Sequence, residues 1–230
     1  MKTFTLILSM LICTSLAAED RIAVRGEGKI NVSPNAAICR FGVEVKNKEA
    51  VIAQNENAKI VAKVIKELKS KYKIADKDIV TTSFRVNANY EYNGNKRTFE
   101  GYSVYNGVQV HLRDSSKLGA VLDTLTSSGV NQIESISFTH NDWDNLVKEA
   151  LRLSIADAKE KAQMLAKEAK RELGKIETIV EGGVDYTPPT PMMGQQMVSS
   201  KMAMSARAET PIQGGELEIV SAVKVVFQLD

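Results

Sequence analysis

Cysteine, histidine and tryptophan are scarce in this chain of 230 residues, numbering two, two and one. Two cysteines cannot supply the paired thiols of a small disulfide scaffold, and no Cys-x-x-Cys or His-Glu-x-x-His spacing offers a zinc site. No Gly-x-Ser-x-Gly elbow is present either. Charge of one sign is also missing, with 30 basic residues against 28 acidic ones. That balance, without a basic block carrying interleaved aromatics, excludes a nucleic-acid surface. Beyond the first sixteen residues no apolar run approaches the ~20 residues of a membrane-spanning helix.

The amino terminus is present in a recognisable form. Met1-Lys2 gives a minimal positive start, Phe4 to Leu16 forms an apolar core, and Ser15 and Ala17 occupy the small-residue positions before Ala18. Residues 1–17 therefore read as a cleaved signal peptide. A lipoprotein reading through Cys13 would need a small residue where Ile12 stands. The exported chain, residues 18–230, is expected to be periplasmic or secreted, with no transmembrane span. Cleavage removes Lys2 and Cys13, which leaves near neutrality and a lone Cys39. The alternation Ala37, Cys39, Phe41, Val43, Val45 places that thiol among the apolar residues of a strand, as an inert core group.

About 210 residues can bury one large core or two small ones. Ile22 to Val32 and Ala36 to Lys46 read as strands divided by Ser33-Pro34-Asn35. Val51, Ala58, Val61, Val64, Ile65 and Leu68 recur at helical spacing across 48–71. Ile79 to Tyr92 and Thr98 to Leu112 flank Asn93-Gly94, a hairpin signal. Asp114 or Ser115 caps a short helix ending at Gly129, and Ile133 to Phe138 reads as a buried strand.

The longest helix is expected over about 142–173, capped by Asn141 or Asp142 and stopped by Gly174. Leu151, Ile155, Ala158, Ala162, Leu165 and Ala169 form its apolar stripe, expected to face the protein's own sheet, and Met164 is expected to be buried on it. The fold class is thus α+β: a layered α/β sandwich of mostly antiparallel strands packed with three helices. It is read as a single domain, with two α/β subdomains joined near residue 100 left open.

Several stretches point the same way: the opening strand from Ile22, Gly101-Tyr102-Ser103-Val104-Tyr105-Asn106-Gly107-Val108-Gln109-Val110, and Ser128-Gly129-Val130-Asn131. The helix pattern Ala156-Asp157-Ala158, Lys161-Ala162, Leu165-Ala166 and the closing Thr210-Pro211-Ile212-Gln213-Gly214-Gly215 turn with its strand complete the set. Together they resemble the SIMPL-domain family of exported bacterial proteins. The resemblance implies an envelope protein, self-association into a larger assembly or a link to oxidative-stress defence, and no agreed catalytic residues.

The search for chemistry gives weak candidates. His111 and His140 read as satisfied or solvated imidazoles. His140, Asp142 and Asp144 could be drawn as a metal cluster, but acids there suit a helix N-terminus. Gly26-Glu27-Gly28 and Gly182-Gly183 lack the helix that a phosphate loop needs. One segment stands out: a Pro-rich entry and a loop, 187–208, holding Met192, Met193, Met197, Met202 and Met204. Its thioethers suit docking onto a neighbouring subunit, Cu(I) sequestration or sacrificial oxidation. The expectation is a non-enzymatic homo-oligomer without cofactor, and the alternative is stress defence through those methionines.

Overall fold

A computed structural model of the chain describes residues 20–94, 96–187 and 212–230. Residues 1–17, expected to be a signal peptide, and the five loop methionines lie outside the described residues. Elements follow in the order β1 (Arg21–Val32), β2 (Ala36–Asn47), α1 (Ala50–Tyr72), β3 (Ile79–Asn93) and β4 (Lys96–Leu112). Then come α2 (Leu118–Ser127), β5 (Gln132–Thr139), α3 (Trp143–Glu168), β6 (Leu173–Thr187) and β7 (Leu217–Leu229). The strands form two antiparallel sheets, ordered β1-β7-β6 and β3-β4-β2-β5. This is the α+β architecture that the sequence predicts.

Two compact units divide the chain. The larger comprises Lys29–Ala150 and Val184–Ser221. Its core fills one face of the four-stranded sheet with Cys39, Phe41, Val43, Val108 and Val110 against Val64 and Leu68 of α1 and Val121 and Leu125 of α2. Buried Asn57 on α1 donates its amide to the carbonyls of Val43 at 2.7 Å and Val104 at 3.2 Å, tying the helix to β2 and β4. The smaller unit comprises residues 20–28, Leu151–Gly183 and Ala222–Asp230. There Ala158 and Ala162 of α3 pack with Val24 of β1 and Val223, Val225 and Phe227 of β7.

Three expectations need correction. Helix α3 ends at Glu168, not near Leu173. Lys170 turns left-handed at φ 56°, its N–H donates to the Lys167 carbonyl, and that of Arg171 donates to the Ala166 carbonyl at 2.9 Å. These are the two bonds of a Schellman stop, made here by a lysine, so Gly174 is already strand. The buried row of α3 is Ala150, Ser154, Ala158, Ala162 and Ala166. Ile155, Met164 and Leu165 are exposed, and Ala169 with them. The reason is the approach of β1: a Cβ placed on Gly26 would lie 1.9 Å from the Ser154 carbonyl, so only the smallest residues fit beneath it. Finally β5 is an outer strand of its sheet, with Ile133 exposed, because only its β2 side is paired.

Candidate functional sites

Titratable groups converge at the end of β4. Asp78 closes a 3-10 turn at Asp76–Asp78 and is buried, 7% exposed. Arg113 follows β4 and grips it in bidentate fashion, Nε to Oδ2 at 2.9 Å and Nη2 to Oδ1 at 2.8 Å. The Arg113 hydrogen bonds hold the Asp78 carboxyl below its ordinary value against the opposing effect of burial. His111 stands beside them with Nδ1 at 3.8 Å from Asp78 Oδ1, and its Nε2 is enclosed without a protein partner. Burial pushes this imidazole down, while Asp78 opposes that shift. At 3.8 Å the carboxylate does not hydrogen-bond the ring, and Arg113 already takes both its oxygens. The trio is an ion-pair clamp at the sheet end, not a base held by an acid.

His111 borders two clefts of the larger unit. One, of about 480 Å3, also meets Thr139, His140, Trp143 and Lys148. The other, of about 240 Å3, meets Tyr72, Asp78 and Arg113. His140 is tied on both nitrogens: Nδ1 accepts from the Asp142 N–H at 3.1 Å, and Nε2 lies 3.0 Å from the Asn35 amide. Asp142 accepts from the Asn145 side chain at 2.6 Å, and its carbonyl receives the first bonds of α3, as a capping residue does. These engagements occupy both His140 ring nitrogens and fit the helix-cap reading of Asp142 that the sequence favours over a His140–Asp142–Asp144 metal cluster. Among the described residues no cluster of three or more His, Cys, Asp or Glu side chains fits a metal ion. Cys39 is fully buried in the sheet core, where burial pushes its thiol up to about 12.

The remaining site is the β3–β4 hairpin. Its strands pair from Ile79↔Val110 to Asn93↔Lys96, with Gly94 at φ 61° in the turn. Helix α1 packs mainly on β2 and β4, and β3 is an edge of its sheet. Twelve of its fifteen residues are exposed, and among the described residues no strand pairs its outer edge. Phe84, Val86, Tyr90 and Tyr92 on β3 are exposed apolar side chains, as is Phe99 on β4. Tyr90 meets Phe99 edge-on at 5.5 Å, and Phe99 meets Tyr102 at 5.2 Å. The Arg97 guanidinium caps Tyr90 at 3.5 Å.

Nearer the sheet centre, Tyr105 lies flat across Gly42. A Cβ there would come within 2.3 Å of the ring. The Tyr105 hydroxyl donates to Glu134, and Arg85 sits 4.5 Å from the ring centre. Burial first, then the Glu134 carboxylate, pushes the phenol up to about 12. This face is built for packing and hydrogen bonding, since its tyrosine resists ionisation. Sequence reasoning found the hairpin through Asn93-Gly94 but not its exposure. Periodicity marks a strand without saying which strand a helix will cover.

Comparison with known proteins is consistent with an envelope setting. The SIMPL family model, described as a protein of unknown function (DUF541), matches residues 22–227. The chain is 31% identical over 215 residues to the 26 kDa periplasmic immunogenic protein of Brucella melitensis, covering 91% of this chain and 84% of that one. It is 30% identical over 209 residues to the uncharacterized protein YggE of Escherichia coli K12, covering 91% and 83%. Neither name is an enzymatic one. No helix among the described residues is long and apolar enough to cross a membrane.

Proposed function

Because this chain belongs to the SIMPL family, we propose that it is an exported, non-enzymatic envelope protein that works as an assembly of several copies. The observation that carries this reading is the β3–β4 hairpin, whose apolar side chains are exposed on a sheet edge that, among the described residues, is unpaired. Soluble chains ordinarily blunt such edges with lysine, proline or a covering element. The β3 segment contains neither lysine nor proline. The periplasmic name of the Brucella relative supports an address outside the cytoplasm. In this reading residues 1–17 are a signal peptide, so the exported protein should begin at Ala18 by intact mass. The rest is one SIMPL domain carrying the 187–208 loop.

The test is sedimentation velocity across micromolar concentrations. The proposal requires a species several times the mass of one chain, and a single monomeric boundary at every concentration contradicts it.

A second reading, oxidant defence through methionine, is favoured by one observation: Met164 is 58% exposed on α3, opposite to the buried place expected for it. Together with Met192, Met193, Met197, Met202 and Met204 it would give a set of thioethers open to oxidation. Changing those six to leucine should then lower peroxide survival of the producing cell, and unchanged survival removes the reading. The same variant tests Cu(I) sequestration, which requires retention of the ion to fall.

A further inference from the structure

The outer edge of β3 carries a pattern that reads the same in both directions. From residue 84 to 92 it runs Phe84, Arg85, Val86, Asn87, Ala88, Asn89, Tyr90, Glu91, Tyr92. Folded about Ala88, the sequence sets Arg85 opposite Glu91, Phe84 opposite Tyr92, Val86 opposite Tyr90 and Asn87 opposite Asn89. Side chains alternate between faces along a strand, so directly opposed residues in an antiparallel pair share a face. The even-numbered residues, all apolar, fall on one face, and the odd-numbered polar ones fall on the other.

We propose that two copies of this chain join antiparallel along β3, edge to edge, about a two-fold axis at Ala88, in a continuous sheet of eight strands. The proposal rests on the self-association reading and names its contact surface. An isologous contact needs a self-complementary patch, in which residue i meets j and j meets i. The Arg85–Glu91 arrangement supplies this twice per pair, with opposite charges across the dyad. The nine-residue overlap spans roughly 30 Å. It would give the unpaired amides and carbonyls of the edge their partners, and it would set aromatic against β-branched side chains on the apolar face.

Neighbouring features bear on the same contact. Arg85 is exposed, and in the single chain its guanidinium lies inward over the Tyr105 ring of β4 at 4.5 Å, so meeting Glu91 of a second copy requires it to turn outward to the edge. The bulges of the hairpin leave the 84–92 stretch of β3 itself without an inserted residue. One falls between Thr81 and Ser83, and the other adds its extra residue, Glu100, on β4. The register can therefore run unbroken across the overlap. The edge strand β6 of the other sheet lacks this agreement: the register that pairs Lys175 with Glu181 sets Glu177 opposite Ile179.

A charge-inversion cycle and a cross-link test the proposal on the exported chain. Arg85→Glu or Glu91→Arg alone puts like charges across the dyad twice and should weaken association by about tenfold or more, and R85E/E91R together should restore it. Ala88→Cys places two thiols opposite each other at a Cα separation of about 4.5–5.5 Å, so mild oxidation should link the copies. Buried Cys39 stays unreactive in the wild-type control. Thermal unfolding of each variant confirms that the arm still folds. An assembly indifferent to both charge inversions, with A88C unlinked, would overturn the β3 contact while self-association stands. A chain that is monomeric throughout would overturn both. Slow β3 amide exchange in that monomer would seat another segment of the same chain on the edge.

Discussion

Single residues of the larger unit set its response to acid. His111 is held below its ordinary value by burial, so in the unfolded chain it takes a proton first as pH falls below about 6.5. Stability contributed by its neutral form is therefore present above that pH and declines on acidification until the folded imidazole also protonates. Asp78, held low by Arg113, adds stability above its unfolded value of about 3.9 that is lost as pH drops through its folded one. Urea midpoints measured from pH 8 to 3 should fall in both windows. His111→Phe should flatten the upper one and Asp78→Asn the lower one. An upper slope unchanged in H111F would contradict the assignment.

A second residue-scale prediction concerns Gly42. Its Cβ position is occupied by the Tyr105 ring, so Gly42→Ala must displace a buried tyrosine from Glu134. Overpacking of this kind costs about 1–3 kcal/mol, visible as a lower denaturation midpoint. A double variant with Tyr105→Leu should lose less than the two single changes summed, since the clash and the hydrogen bond share one ring.

At the scale of elements, α3 shows what a sequence can and cannot disclose. Its start at the Asn141-Asp142 cap, its length of several turns and its small-residue character are all legible from spacing. Which row of residues is buried is not. Isoleucine at 155 and leucine at 165 outrank alanine on any hydrophobic count, yet the close approach of β1 at Gly26 selects Ser154 and Ala158, while Leu151 stays partly buried against the core. Periodicity registers how apolar a face is, while packing distance decides which face fits. Gly26→Ala, which meets the Ser154 carbonyl at 1.9 Å, should therefore destabilise the smaller unit by about 3 kcal/mol or more. Hydrogen exchange resolved by segment should show α3 and β7 loosening together.

The stop of α3 was equally hidden, because Lys170 carries a left-handed conformation that glycine usually takes. Lys170→Gly should stabilise the chain by about 1 kcal/mol, read as a higher Tm, and a lower Tm would contradict the Schellman reading. The hairpin follows the same pattern. Asn93-Gly94 announced the turn, and alternation announced its strands. That β3 would lie at the edge of its sheet depends on strand order, which the sequence of elements does not contain.

At the scale of the molecule, most of the polar groups that sequence alone could assemble into a site are, among the described residues, engaged elsewhere. Arg113 holds Asp78, Asn35 and Asp142 hold His140, and the sheet core encloses Cys39. Among the described residues, one feature left facing outward is the β3–β4 arm. Under the proposed function this arm is the surface through which copies of the chain join. Family membership agrees with that setting without specifying it. The most direct measurement is light scattering coupled to size exclusion on the exported wild-type chain, beside V86K/Y90K, which puts lysines on the apolar face of the edge. The account predicts a mass several times that of one chain for the wild type and a mass near one chain for the variant. A wild type that elutes at the mass of a single chain would contradict it.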